Sequence, residues 1–443
     1  RINIVSQYDH FFDNFIGNVL IAWSKASQGK KEESFQFLQK IPEPYKHLKN
    51  IQKVFLQCYF DENQTKQSFN KLIKSKEYNF SRYNYFLANY LLQENKFEEA
   101  KNIIKDSSIK YRSNLLLRQT EFFLEKKQNE KIKNIFNCKN PKDDLGEFFY
   151  ILANLYSSQQ DYRISNFYLK ISLFLNKKFL PNKTLLAENF FYQRRNQKSK
   201  DIYYSIKSIG PIFSWFASKN IASILLDEQG KELAVSILEK EYNKISKPSL
   251  DHNYELANFY KDNEYYEKSI KHYTLVLNQI KKDHPLFSKA LHRRGTSYER
   301  LGKWEKAEKD LLQSLEILPD QAHVLNYLAY TWIDKGMHLE KGLEMLKKAT
   351  MLKPNDGYII DSLGWAYYKK KNYVKAEFFL QQAVELMPSD PIINDHYADT
   401  LWMLNKNVQA RYFWNYILKL KKIENNLKKD LKNKLIFGPA KKI

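Results

Sequence analysis

The chain has 443 residues, of which 43% are apolar or aromatic and 28% charged, and it carries a net charge of +22. No apolar run approaches the ~18 residues that cross a membrane as a helix, and 12 Gly and 12 Pro in no Gly/Ser-rich or Pro-rich run mark no obvious linker. Glycine this sparse also leaves no phosphate-cradling loop, and neither a nucleophile elbow nor a zinc-protease motif is present.

In chain order, a small–large–small pattern returns roughly every 34 residues. It opens weakly at Ile21-Ala22, Ser34 and Leu38. Clearer instances follow at Leu87-Ala88 with Leu91, Ala100 and Ile104, and at Leu152-Ala153 with Tyr156, Ser165 and Leu169. Leu186-Ala187 with Ser199 and Tyr203, Ile221-Ala222 with Leu225, Ala234 and Leu238, and Leu256-Ala257 with Tyr260, Ser269 and Tyr273 continue it. Segments 45–75 and 112–138 read as amphipathic helix pairs without the full pattern. A turn former followed by an aromatic recurs between paired helices, at Asn95-Lys96-Phe97, Asp161-Tyr162, Gly302-Lys303-Trp304 and Asn372-Tyr373. Asn and Gly suit the left-handed conformation that ends a helix there.

The pattern sharpens toward the C-terminus. Leu291, Gly295, Tyr298, Ala307, Leu311 and Pro319 form one unit; Leu325, Leu328-Ala329, Trp332, Gly342, Leu346, Ala349 and Pro354 form the next. Between Gly357 and Pro388 a complete unit reads Ile360, Leu363-Gly364, Tyr367, Ala376, Leu380 and Ala383, followed by Tyr397-Ala398, Leu401, Ala410, Trp414 and Ile417. Small residues stand where helices cross closely, large ones fill the groove, and proline stops the second helix. These offsets resemble the tetratricopeptide repeat, and ten well-supported units with two degenerate ones fill nearly the whole chain. The expected fold is all-α, a right-handed superhelical solenoid of antiparallel helix pairs. Its expected parts are degenerate repeats over 1–140, divergent units over 141–284, well-formed units over 285–420 and a basic capping helix or tail over 421–443.

Charge is uneven. Residues 151–200 hold nine Lys/Arg against two Asp/Glu and residues 401–443 eleven against two, whereas 301–400 hold twelve against fifteen. The tract Lys419, Lys421, Lys422, Lys428, Lys429, Lys432 and Lys434 reads as the solvated face of a capping helix. Its alternative is a peripheral contact with an anionic membrane, or with RNA. Lysine far exceeds arginine, which disfavours nucleic acid. Cys58 and Cys138, 80 residues apart without metal-ligand spacing, read as buried small hydrophobes. His292, His323 and His396 stand singly and have no ligand partner at metal spacing. We expect no catalytic residue, cofactor or metal.

In a curved stack the first helix of each pair lines the concave side. The helical period turns eight residues of the C-terminal units toward it: Asn326, Tyr330, Asp361, Trp365, Tyr368, Asp395, Asp399 and Trp402. Aromatic bodies and carboxylates suit an extended peptide or a helix bearing Lys/Arg. Asn89, Asn154 and Asn258 hold the corresponding places upstream, where they read equally as backbone clamps and as solvated side chains.

The runs Asn326–Tyr330, Asp356–Ala366 and Pro391–His396 resemble a proteobacterial subgroup of these repeat proteins, which implies a scaffold exported to the periplasm or placed at the outer membrane. A first residue of Arg rather than Met leads us to expect an upstream segment; without an export signal in it the address is cytoplasmic. Chaperone-adaptor repeat domains are a poor match. Their Lys/Asn/Arg clamp for a terminal carboxylate meets His292, Arg293, Thr296, His323 and Tyr327 here, then Asp361 and Asp395. The leading expectation is a non-catalytic scaffold that binds a partner protein segment. The alternatives are a basic array for RNA or an anionic surface, and the recognition arm of a larger enzyme.

Overall fold

The computed structural model describes residues 14–75, 80–420 and 423–439. Among these residues there is no strand, and the α-helices form twelve antiparallel pairs followed by one terminal helix. Segments 45–75 and 112–138, which lack the full pattern, each form a pair. The chain divides between Ser246 and Lys247 into two compact units.

Unit 1 holds seven pairs: α1 (Asn14–Ser27) with α2 (Lys31–Gln39), α3 (Lys46–Tyr59) with α4 (Thr65–Ile73), α5 (Tyr83–Gln93) with α6 (Phe97–Lys110), α7 (Leu115–Glu125) with α8 (Asn129–Lys133), α9 (Pro141–Ser158) with α10 (Tyr162–Leu175), α11 (Leu180–Tyr192) with α12 (Asn196–Ile206), and α13 (Pro211–Gln229) with α14 (Lys231–Tyr242). Unit 2 holds five pairs and the terminal helix: α15 (Leu250–Asp262) with α16 (Tyr266–Gln279), α17 (Phe287–Arg300) with α18 (Trp304–Ile317), α19 (Ala322–Asp334) with α20 (Leu339–Leu352), α21 (Gly357–Lys369) with α22 (Tyr373–Leu386), α23 (Pro391–Met403) with α24 (Asn407–Leu418), and α25 (Asn425–Phe437).

Local chemistry sets the boundaries. Asp356 accepts a hydrogen bond from the Ile359 amide, and Asp390 accepts from the amides of Ile392 and Ile393, which caps α21 and α23. The turn inside a pair pivots on a residue with positive φ, such as Asn95 or Gly302. At the other two expected turns that residue lies one position earlier, at Gln160 and Lys371. Asp161 and Asn372 serve instead as N-caps of the following helices, because their side chains reach the third amide beyond.

Packing follows the small–large pattern. Gly364 on α21 faces Leu380 on α22 so closely that a Cβ would fall 2.6 Å from Leu380 Cγ. Ala329, Leu343, Leu346, Leu363 and Ala366 join three successive helices in one cluster, and Ile360, Ala383 and Ile393 carry it to the next pair. Unit 1 differs, because its first helices turn inward onto one another. Phe15 of α1 meets Phe148 of α9 at 5.5 Å between ring centres. Arg82 binds the buried Glu147, which also accepts from the Tyr83 hydroxyl at 3.1 Å.

Cys58 of α3 and Cys138, ahead of α9, are bonded as a disulfide, with their Cα atoms 5.9 Å apart. Both are buried, as expected of small hydrophobes, but they are not separate thiols. The pairing was hidden because it depends on the turn after the short α8, which brings Phe136 and Cys138 beside Phe55 and Cys58 of α3. Closing a loop this long stabilises the folded chain by roughly 4 kcal/mol in the chain-entropy account.

Replacing Gly364 with Val should destabilise unit 2 by about 1–3 kcal/mol through overpacking against Leu380. Gly17→Ala, at a helical glycine with open space around it, should be neutral or stabilising by up to ~1 kcal/mol. Urea unfolding of the two variants measures the contrast, and equal effects would contradict this packing.

Candidate partner-binding groove

All eight groove residues expected from the sequence fall on the first helices of three consecutive pairs: Asn326 and Tyr330 on α19, Asp361, Trp365 and Tyr368 on α21, and Asp395, Asp399 and Trp402 on α23. Asn326, Asp361 and Asp395 occupy equivalent places, as do Tyr330, Trp365 and Asp399. Side-chain N-caps start α21 and α23, and the close crossing at Gly364 packs α21 tightly on α22.

The aromatic part forms a stack. The Trp365 indole stacks with Tyr368, at 4.5 Å and 6°, and with the His396 imidazole, at 4.0 Å and 14°. Lys369 places its ammonium 5.2 Å over the same indole. Trp365 is thus held by three neighbours, while its Nε1–H is buried without a hydrogen-bond partner. The Asn326 side-chain oxygen is also buried and unpaired.

The acidic part departs from the expectation of carboxylates open to an incoming Lys or Arg. Asp361, Asp395 and Asp399 are only 6%, 7% and 5% exposed. The Asp361 carboxylate lies 2.9 and 3.1 Å from His396 Nδ1. Asp395 accepts from Trp414 Nε1 at 3.0 Å and from Lys434 Nζ at 2.7 Å, and the same ammonium donates to Asp399 Oδ2 at 3.0 Å. Buried carboxylates need such partners. Asp399 Oδ1 nevertheless has none. Trp402 tilts against Trp414 at 5.5 Å, with the Arg411 guanidinium 4.9 Å over its ring.

Lys434 therefore does not belong to a solvated face. Lys419, Lys428, Lys429 and Lys432 are exposed, whereas Lys421 and Lys422 lie outside the described residues. The available signal was a lysine set among Leu427, Leu431 and Leu435, on the apolar stripe of an otherwise polar helix. The role of His396 was missed because its partner Asp361 is 35 residues away, on the preceding first helix. His292 is a half-buried imidazole whose pKa desolvation, and then Arg293, push down to about 4. His323 sits at the surface, 2.7 Å from Lys353 Nζ. Upstream, Asn89 donates to the Ile132 carbonyl at 3.0 Å and Asn258 accepts from the Tyr273 hydroxyl at 2.7 Å, so both are engaged within the fold, while Asn154 is exposed.

Burial acts to lower the His396 pKa, but the Asp361 carboxylate outweighs it and the imidazole sits above its ordinary range. Desolvation, reinforced by Asp395, pushes Asp399 up to about 7 despite Lys434. Both groups bind protons more tightly in the folded chain than in the unfolded one. Their stabilising contribution is complete below the unfolded values, near 3.8 for Asp399 and 6.5 for His396, and is lost as pH rises through 7 and above. Unit 2 of the wild type should therefore lose stability relative to Asp399→Asn between pH 4 and pH 8. Denaturant midpoints at stepped pH read this directly, and a constant offset between the two proteins would contradict it.

Residues 288–321 and 359–390 match the family described as tetratricopeptide repeat. A TPR repeat-containing protein of Pseudomonas aeruginosa is 32% identical over 111 residues, which are 25% of this chain and 19% of that protein. The chain thus spans about a fifth of the length of that relative. Among solved structures, similarity extends to a tetratricopeptide repeat protein from Parabacteroides merdae, 19% identical, with a TM-score of 0.41 over 50% of this chain and 85% of that one. It extends also to a thermophilic TPR protein of Thermus thermophilus, 18% identical, with a TM-score of 0.37 over 42% of this chain and 99% of that one.

Proposed function

We propose that this chain, a tetratricopeptide repeat protein, is a non-catalytic scaffold that holds an extended segment of a partner protein along α19, α21 and α23 in the bacterial cell envelope. One observation carries the groove assignment. The Asn326 oxygen, the Trp365 indole N–H and Asp399 Oδ1 are buried polar atoms without partners, on three successive first helices. Leaving such a group unpaired costs about 1–3 kcal/mol, and a peptide main chain supplies both donors and acceptors to meet them. With Asp361 engaged by His396, the open stretch is centred on Asn326, Tyr330 and Trp365 rather than on the carboxylates.

A photo-crosslinker at Tyr330 should give a discrete adduct with one envelope protein. Asn326→Ala together with Trp365→Phe, which keeps the ring stack and removes the indole N–H, should lower that adduct about tenfold, the effect of losing one or two buried hydrogen bonds. Adduct yields equal to wild type would overturn the assignment.

The envelope address is supported by the disulfide, since such bonds persist in oxidising compartments. Acid quenching of intact cells followed by alkylation in denaturant, which exposes both buried positions, should leave Cys58 and Cys138 unmodified, and labelling of both would place the chain in a reducing compartment instead.

A further inference from the structure

The terminal helix α25 has few local supports of its own. Glu424 precedes it with no side-chain cap, and its first turn has no acidic residue. Lys428 and Lys429 instead lie near its positive end, against the helix dipole. Only Leu431 and Lys434 on it are buried, so half of its buried anchor is the lysine itself. Asn425 and Asn426 begin the helix with poor propensity. Little besides its docking holds α25 helical.

Its docking is nevertheless specific. The Lys434 ammonium enters between Asp395 and Asp399, at 2.7 and 3.0 Å. The Leu435 carbonyl accepts from Arg411 Nε at 3.0 Å. Gly438, with φ +75°, lies flat on the Trp402 indole, where a Cβ would fall 2.3 Å from the ring. Three of the eight groove residues are thus covered by the chain's own terminal segment. Two groove carboxylates, with Asp430 of α25 itself at 3.3 Å, face a single ammonium there, and Asp399, 5% exposed, keeps one oxygen unpaired. This leaves unused acceptor capacity inside a built site.

We propose that the C-terminal end of the groove is a binding site for a lysine-bearing amphipathic helix, and that α25 fills it as an internal stand-in for a partner segment of the same kind. The proposal rests on the groove reading above and names the partner's chemistry at this end. The occupying segment carries leucines at four-residue intervals, as at Leu427, Leu431 and Leu435, with a lysine in the place of Lys434. It competes with α25 for Asp395 and Asp399, so the free protein is partly self-blocked. An exposed acidic groove would accept any lysine-rich chain, whereas this one admits a helix that also matches the apolar stripe.

The probe is a fluorescent peptide of residues 424–438, titrated into the full chain. Wild type should bind it weakly, and the full chain carrying Leu431→Asn and Lys434→Gln should bind it at least about tenfold more tightly, because the internal competitor is weakened. A K434Q peptide should lose about tenfold or more on that chain, as should the native peptide once Asp395→Asn and Asp399→Asn are added. Equal binding to wild type and to the weakened chain, or equal binding of native and K434Q peptides, would overturn the proposal. Hydrogen exchange on the unaltered chain gives a reading free of any folding defect. Excess native peptide should accelerate exchange of the α25 amides and leave α21 protected, and α25 amides that stay as slow as those of α23 would equally overturn it. Neither measurement involves Asn326 or Tyr330, so loss of this site leaves the crosslinking result at the other end of the groove standing on its own.

Discussion

A pair of helices this short has no interior of its own, and everything else in the chain follows from that constraint. Each pair presents an apolar stripe that only the next pair can cover. The distance of approach is set where Gly364 leaves room for Leu380, and the same place is taken by Gly295 and by several alanines in other units. Because first helices must lie side by side to close this packing, equivalent residues 34 or 35 positions apart become neighbours. The groove is therefore a by-product of core packing. Asn326, Asp361 and Asp395 are aligned whether or not anything binds them.

Alignment of acids has a consequence of its own. Carboxylates brought together on adjacent helices must find counterions or give up their charge. Unit 2 supplies partners from within: Asp361 has an imidazole, Asp395 has an indole and an ammonium, and Asp399 shares that ammonium, with burial raising its pKa to about 7. The polar face of the groove is thus largely satisfied from within. What remains unmet is a set of single buried polar atoms beside an aromatic stack.

The helical pairs, their period and their number were legible because close crossings demand small side chains at fixed spacing, and this demand survives even where the rest of a unit has diverged. That the eight expected positions fall on the first helices α19, α21 and α23 was legible for the same reason, since the repeat period fixes which helix of a pair a residue joins. Their chemical state was not. Whether Asp395 meets water or Lys434 depends on where a helix nearly 40 residues later comes to rest, and no periodicity encodes that. Cys58 and Cys138 illustrate the same limit, because their meeting depends on the path of a turn. Pivot residues such as Lys371 were missed by one position, because a side chain tolerable at positive φ gave no signal beside the stronger N-cap preference of Asn372.

The disulfide alters more than the stability of the segment it closes. A stack in which each pair touches only its neighbours behaves as a one-dimensional chain of coupled elements and frays stepwise from its ends. In unit 1 a covalent tie from the second pair to the exit of the fourth, together with the contact of α1 on α9, adds links between elements that are not adjacent. Such links convert stepwise fraying into a shared transition. The first five pairs should open and close as one cooperative block, whereas unit 2, joined only neighbour to neighbour, keeps its terminal helix as the first element to leave.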